Sequence, residues 1–125
     1  MEFVATTRAP AAIGPYSQAV KVNGLVYTSG QIALRPDGTM VEDEVVLQTE
    51  QVFANLRAVL PEAGSSLERV VKVMAFVADI NEFDTVNEIY ANAISDHISA
   101  RSRAAGKRLP AQALVAIQVI DFGDS

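Results

Sequence analysis

Hydrophobic and polar positions along the chain follow two different periods, which predict short strands in some segments and helices in others. Apolar runs flank the pair Asn23 and Gly24 on both sides. This pattern predicts a β-hairpin, because both central residues of a type I′ turn need a positive φ. Two antiparallel strands are therefore expected near the start of the chain.

After a turn at residues 36–38, apolar positions recur at helical spacing from Asp43 onward. The positions that form this stripe are Val45, Val52, Phe53, Leu56, Val59 and Leu60. Pro61 lacks the backbone donor that a helix interior needs, and Gly64 follows it. We therefore expect the first regular helix to end near Leu60.

Residues 70–78 are β-branched and almost continuously apolar, which is typical of a strand covered on both faces. Helices can cover one face, and a domain of this size needs another subunit to cover the second. The segment therefore predicts an oligomer.

A second helix is expected after Asn81, which resembles an N-cap because Asp84 follows three residues later. Its apolar stripe consists of Phe83, Val86, Ile89, Tyr90, Ala93 and Ile94. Residues 114–120 predict a final strand. The order strand, strand, helix, strand, helix, strand indicates an α+β fold, with residues 1–125 forming a single domain.

Composition narrows the possible functions. Half of the 125 residues are hydrophobic and 20% are charged, as expected of a packed core. Apolar runs are far shorter than the ~20 residues that cross a bilayer, so we expect no membrane partner. The expected location is the cytoplasm, with an organelle as the alternative. The absence of cysteine removes disulfides and thiolate chemistry. A net charge of -5 repels the phosphates of nucleic acid, which argues against nucleic acid as a partner.

Three short motifs carry the strongest functional signal: AAIGPYSQ at residues 11–18, YTSGQI at residues 27–32 and ARS at residues 100–102. In order and spacing they resemble the signature of the Rid family (reactive intermediate deaminase, also called YjgF or endoribonuclease L-PSP), over about residues 6–120. The resemblance implies a chorismate-mutase-like mixed sheet backed by two helices, and a homotrimer with sites between subunits. It also implies hydrolysis of 2-aminoacrylate-type enamines or imines to 2-keto acids and ammonia, with neither cofactor nor metal.

The same resemblance assigns roles to individual residues. Arg101 falls on the arginine that grips the substrate carboxylate, and a guanidinium matches a carboxylate through two parallel hydrogen bonds. Tyr16 and Ser29 would hydrogen-bond the reacting end of the substrate or its water. Gly30 would line the pocket with its backbone, and Asn87 matches an asparagine near the substrate. From spacing alone, a surface arginine and an exposed helical asparagine are the alternatives.

One departure from the family weakens the catalytic assignment. Ala116 stands where active members carry a glutamate thought to handle the attacking water, and loss of a general acid or base typically costs ~10²–10⁴ in rate. Gln118 lies on the same strand face and could position water. A metabolite-binding protein without catalysis is therefore one alternative function.

A second departure is the basic stretch that follows Arg101. If it is extended, Arg101, Arg103 and Lys107 share one face, and Arg103 joins the substrate-binding set. The other interpretation is an edge strand that charge protects from aggregation. Because Rid relatives are also described as single-strand ribonucleases and translation inhibitors, this basic strip leaves an RNA-directed function as a further alternative.

Overall fold

The computed structural model describes residues 1–12, 16–94, 100–105 and 109–123, and the account that follows concerns these residues. The described chain forms six strands and two helices: β1 (Glu2–Val4), β2 (Ala19–Val22), β3 (Leu25–Thr28), α1 (Val45–Glu62), β4 (Val70–Val77), α2 (Phe83–Ile94), β5 (Ala100–Ala105) and β6 (Val115–Phe122). The predicted α+β class, a mixed sheet with two helices, is confirmed. The predicted series of strands did not include β1. It did not include β5 either, which was considered only as one interpretation of the basic stretch after Arg101.

The six strands form one sheet in the order β1-β2-β3-β6-β4-β5. Neighbouring strands are antiparallel except β4 and β5, which run parallel. The last strand in sequence, β6, therefore lies in the middle of the sheet between β3 and β4. It carries side chains from the end of the chain to the centre of the domain.

The hairpin between β2 and β3 forms as predicted. Val22 pairs with Leu25 across the turn, and the two central residues, Asn23 and Gly24, have φ values of 52° and 77°. Positive φ at both positions matches the right-handed twist of the strands.

Helix α1 begins at Val45, where the carboxylate of Glu44 accepts hydrogen bonds from two backbone N–H groups of the first turn. The helix continues through Pro61 to Glu62, so the predicted end near Leu60 is two residues short. Pro61 lies in the last turn, so only one helical residue follows the backbone hydrogen bond that it removes. The backbone N–H groups that follow it return to the carbonyls of residues 60 and 61 and close the helix end.

The start of α2 differs from the prediction as well. Asp79, not Asn81, caps this region, because the Asp79 carboxylate accepts a 2.9 Å hydrogen bond from the Asn81 N–H at a 3₁₀ turn that leads into α2. The predicted apolar stripe is buried at Phe83, Val86 and Tyr90.

The two faces of the sheet have different environments. Side chains from alternate positions of β4 and β6 enter a core with both helices and are almost fully buried: Val73, Ala75, Val77, Val115, Ile117 and Val119. On the opposite face Tyr27, Val71 and Phe122 are 42–48% exposed, and Met74 and Phe76 are half-buried. We call this second surface the open face. One chain therefore covers β4 fully on one side only.

Neither α1 nor α2 combines the length and apolar character that crossing a membrane requires, and no other described helix does.

Candidate functional site

A cavity of about 330 Å³ opens where the end of β3 meets the segments that precede β2 and β6. It brings together three residues that the sequence singled out, Tyr16, Ser29 and Gly30. The complete described lining consists of Pro10, Ala11, Ala12, Tyr16, Gln18, Ser29, Gly30, Gln31, Ile32, Leu34, Pro110 and Ala111. These residues come from three separate segments of the chain.

A β-bulge shapes the cavity wall at the end of β3. Tyr27 pairs with Ile120 of β6, whereas the next pair joins Gln31 to Ile117. Three residues on the β3 side therefore face two residues on β6. Bulges of this kind redirect side chains and are common beside active sites. Here residues 29 and 30, both in the cavity lining, lie within the bulge.

The Thr28 hydroxyl satisfies backbone groups that the bulge leaves without a ladder partner. It accepts a 2.9 Å hydrogen bond from the Val119 N–H and lies 3.5 Å from the Val119 carbonyl, to which it donates. Threonine suits this position because a hydroxyl both donates and accepts. The bulge is thus a hydrogen-bonded part of the sheet.

Ser29 is half-buried and is held by two hydrogen bonds to the segment before β2. Its N–H donates to the Gln18 carbonyl at 3.0 Å, and its hydroxyl donates to the Ser17 carbonyl. Because the hydroxyl proton is already committed, the Ser29 oxygen offers lone pairs to the cavity. It is therefore suited to accept a hydrogen bond from a ligand N–H or a water.

Gln18 holds the wall of the cavity in place. Its buried amide accepts from the Thr6 N–H at 2.6 Å and donates to the carbonyls of Thr6 and Pro10 at 3.1 and 2.7 Å, with Ala9 at 3.4 Å. These bonds fix the loop of residues 6–10 against the start of β2. Sequence analysis missed this role, although Gln18 ends the first motif.

Tyr16 stands at the mouth of the cavity with 55% of its surface exposed. It also lines a second cavity of about 460 Å³ next to β1. The phenol therefore lies where a ligand entering from solvent would meet it.

Gly30 lies directly against Gln118 of β6. A Cβ placed on Gly30 would be 3.7 Å from the Gln118 side-chain oxygen, an ordinary van der Waals distance. The other end of the amide donates to the Met74 sulfur at 3.4 Å. Gln118 is thus beside a cavity-lining residue, as the shared strand face suggested.

Ala116, two residues earlier on β6, is 7% exposed and pairs with Phe76 of β4. Its methyl group supplies no proton acceptor. Where the resemblance calls for a catalytic carboxylate, this strand carries an amide at Gln118 and an apolar side chain at Ala116.

Arg101 and Arg103 lie in β5, and their backbones pair with Val73 and Ala75 of β4. The backbone of β5 is thus extended at both positions, as the basic strip requires. Their side chains and all of Lys107 lie outside the described part of the structure. Two strand spacings, about 10 Å, separate β5 from β6. The carboxylate-binding role of Arg101 and the substrate role of Arg103 stay predictions.

Asn87 is half-buried on α2 and is not part of the cavity lining. A single chain does not place it beside Ser29. Its contact with a substrate stays a prediction.

The described lining contains no ionisable side chain other than the Tyr16 phenol. Carboxylates occur on the adjoining loop of residues 35–42. Hydrogen bonds from Thr39 lower the pKa of Asp37, while a backbone hydrogen bond and Arg35 lower the pKa of Glu42. Arg35 contacts Glu42 at 3.1 Å, so these groups brace the loop. Among the described residues, no group of three His, Cys, Asp or Glu side chains could hold a metal ion.

Comparison with known proteins gives consistent matches along the chain. The Endoribonuclease L-PSP family model matches residues 6–121. The 2-iminobutanoate/2-iminopropanoate deaminase of Mus musculus is 43% identical over 120 residues, which cover 95% of this chain and 89% of that protein.

Solved structures agree. A protein of the conserved Rid family from Yersinia pestis superimposes with a TM-score of 0.94 at 45% identity, covering 97% of this chain and 98% of that one. The crystal structure of E. coli TdcF with bound serine has a TM-score of 0.91 at 33% identity, covering 99% and 100%.

Proposed function

Because this chain belongs to the Rid (reactive intermediate deaminase) family, we propose that it is an enamine/imine deaminase. Its substrates would be 2-aminoacrylate-type intermediates, and its products 2-keto acids and ammonia. The observation that carries the proposal is the cavity that unites Tyr16, Ser29 and Gly30. The name of the mouse relative supports the reaction, and the serine in the TdcF crystal supports a small carboxylate as ligand.

Arg101 binds the substrate carboxylate in this proposal. A guanidinium forms two parallel charge-assisted hydrogen bonds with a carboxylate, and it stays protonated throughout the reaction. Arg103 adds positive charge on the same strand. The Gly30 backbone and Asn87 complete the binding site.

Ser29 accepts a hydrogen bond from the substrate nitrogen, because its own proton is given to the Ser17 carbonyl. Tyr16 closes the mouth of the cavity and hydrogen-bonds the water. Gln118 positions that water through its side-chain oxygen, which lies beside Gly30.

The chemistry needs no strong base. Water adds to C2 of the iminium form as the C=N electron pair moves to nitrogen, and one water proton follows to that nitrogen. The resulting carbinolamine breaks its C–N bond, the hydroxyl becomes the ketone, and its proton leaves with ammonia as ammonium. An iminium carbon is reactive enough for positioned water, so Ala116 lowers the rate without abolishing it.

We also propose a homotrimer of single Rid-like domains, each formed by residues 1–125, in the cytoplasm. The open face supports this assembly, because it leaves Tyr27, Val71 and Phe122 uncovered in one chain. Clefts between copies would bring Asn87 of one copy toward the cavity of the next.

A coupled assay tests the proposal. A serine dehydratase generates 2-aminoacrylate, and the rate of pyruvate release is measured with and without the protein. We expect faster release with the native chain and no gain with Arg101→Ala. Arg57→Ala, which removes an exposed arginine from α1, is the matched control and should behave like the native chain. Equal rates with and without the native chain would contradict catalysis.

Ala116→Glu separates catalysis from simple binding in the same assay. If the missing carboxylate limits the rate, this variant should be about 10-fold or more faster than the native chain. A chain that binds 2-ketobutyrate through Arg101 but accelerates nothing would instead be a metabolite-binding Rid protein.

A further inference from the structure

Gln31 differs from the other buried amides of the described chain. The other three, Gln18, Gln48 and Asn55, form at least three side-chain hydrogen bonds each. Gln31 is 6% exposed, yet its side chain forms no hydrogen bond with any described residue. Only its backbone is paired, through bonds of 2.8 and 3.0 Å with Ile117.

The position of Gln31 explains how an unpaired amide is tolerated. Gln31 lines the cavity. Among the described residues, the polar side-chain atoms that lack both a partner and contact with solvent do not include the Gln31 amide. A buried amide needs a partner, and water or a bound ligand in the cavity is the partner available to it. The amide can therefore hydrogen-bond to water or to a ligand in the cavity.

The surroundings indicate which part of a ligand it would meet. Tyr16 and Gly30 are exposed at the mouth, whereas Gln31 is far more buried. The residues that follow it in the lining, Ile32 and Leu34, are apolar. Gln18 and Gln31 are the buried polar side chains of this lining, and Gln18 is already bonded to the loop of residues 6–10, so Gln31 is the one with hydrogen bonds to offer a ligand.

We propose that Gln31 is a specificity-determining residue that hydrogen-bonds a hydroxyl or amide on the ligand's side chain. The inference rests on the proposed function. It predicts that the cavity prefers imino and keto acids with a polar side chain over apolar acids of the same shape. A site built to hydrogen-bond a hydroxyl discriminates against the analogue that lacks it, because its own polar group is then left unpaired.

Two keto acids of nearly equal shape test this preference. 3-Hydroxypyruvate carries a hydroxyl where 2-ketobutyrate carries a methyl group. Calorimetric titration of the native protein should give about tenfold tighter binding of 3-hydroxypyruvate, as expected for one added hydrogen bond. Gln31→Met keeps the side-chain length without the amide, and it should bind the two acids about equally. Gln112→Met makes the same chemical change at an exposed position outside the cavity lining and should keep the native preference.

Thermal unfolding without ligand provides an independent readout. Methionine removes an amide that lacks a protein partner, so Gln31→Met should unfold at the native temperature or higher. A fall of several degrees would show that the amide serves the fold, and would overturn the inference. Equal binding of the two acids by the native chain, or a preference that survives in Gln31→Met, would overturn it as well.

The outcomes separate this inference from the deaminase proposal. Accelerated imine hydrolysis without the side-chain preference would remove only the role of Gln31. A preference that depends on Gln31, without accelerated hydrolysis, would remove only catalysis. Failure of both acids to bind would contradict both.

Discussion

At the scale of single residues, the cavity is built mainly from hydroxyls, amides and backbone groups. Two of these groups have fixed hydrogen-bond partners. The Ser29 hydroxyl donates its proton to the Ser17 carbonyl, and the Gln18 amide bonds to the loop of residues 6–10. Such groups orient a ligand without exchanging protons with it. We therefore expect a reactive imine to be a better substrate for this site than a stable amide or ester.

The Gln18 amide should be essential to the shape of the cavity. Gln18→Glu places a carboxylate against backbone carbonyls that now receive N–H donors, and we expect a loss of about 3 kcal/mol in the free energy of unfolding. Binding of 2-ketobutyrate should weaken in parallel. Denaturant titration and calorimetry measure the two effects. Gln112→Glu makes the same chemical change at an exposed position and should change neither. Native-like stability of Gln18→Glu would contradict this role.

How much of the site the sequence predicts depends on the distance over which each residue acts. Tyr16, Ser29 and Gly30 were predicted from their motifs, and the structure brings them to one cavity. Gln18 and Gln31 lie in the same motifs, but their roles depend on hydrogen bonds made or lacking in the folded chain. No spacing in the sequence distinguishes a paired amide from an unpaired one.

At the scale of elements, the sequence predicted the turns and helices that depend only on neighbouring residues. The turn at Asn23 and Gly24 follows from the φ values that those two residues tolerate, and the helical stripes follow from the period of the apolar positions. Strand β1 is three residues long and offers no period. Its existence depends on pairing with β2, a contact beyond any local pattern.

Errors at element ends have the same origin. Pro61 was expected to terminate α1. Instead, the N–H groups of the residues that follow donate to the carbonyls of residues 60 and 61, and the helix includes the proline. The bulge after β3 was also beyond prediction, because it is defined by the register of Gln31 against Ile117, far away in sequence. The parallel pairing of β5 with β4 likewise requires the α2 connection to be in place.

At the scale of the whole molecule, the open face should determine the assembly. Light scattering of the native protein should give three times the 13.4 kDa mass of one chain. Phe76→Asp puts a charge on the open face and should yield monomers, because covering that face would then bury an unpaired carboxylate. Val46→Asp, at a partly exposed position on the other side of the domain, should stay trimeric. A native monomer at micromolar concentration would contradict both the trimer and a shared site.

The final prediction concerns nucleic acid and the basic strip of Arg101, Arg103 and Lys107. We expect single-stranded RNA to bind hardly at all, because a net charge of -5 per chain opposes the approach of a polyanion. The measurement is a salt titration of RNA binding for the native chain, for Arg103→Ala with Lys107→Ala, and for a control with Arg8→Ala and Arg57→Ala. A ribonuclease-type surface would bind with a slope of roughly -0.7 per phosphate contact in log affinity against log salt. Tight, salt-steep binding that only the first double variant loses would place RNA ahead of the small carboxylate as the ligand of this protein.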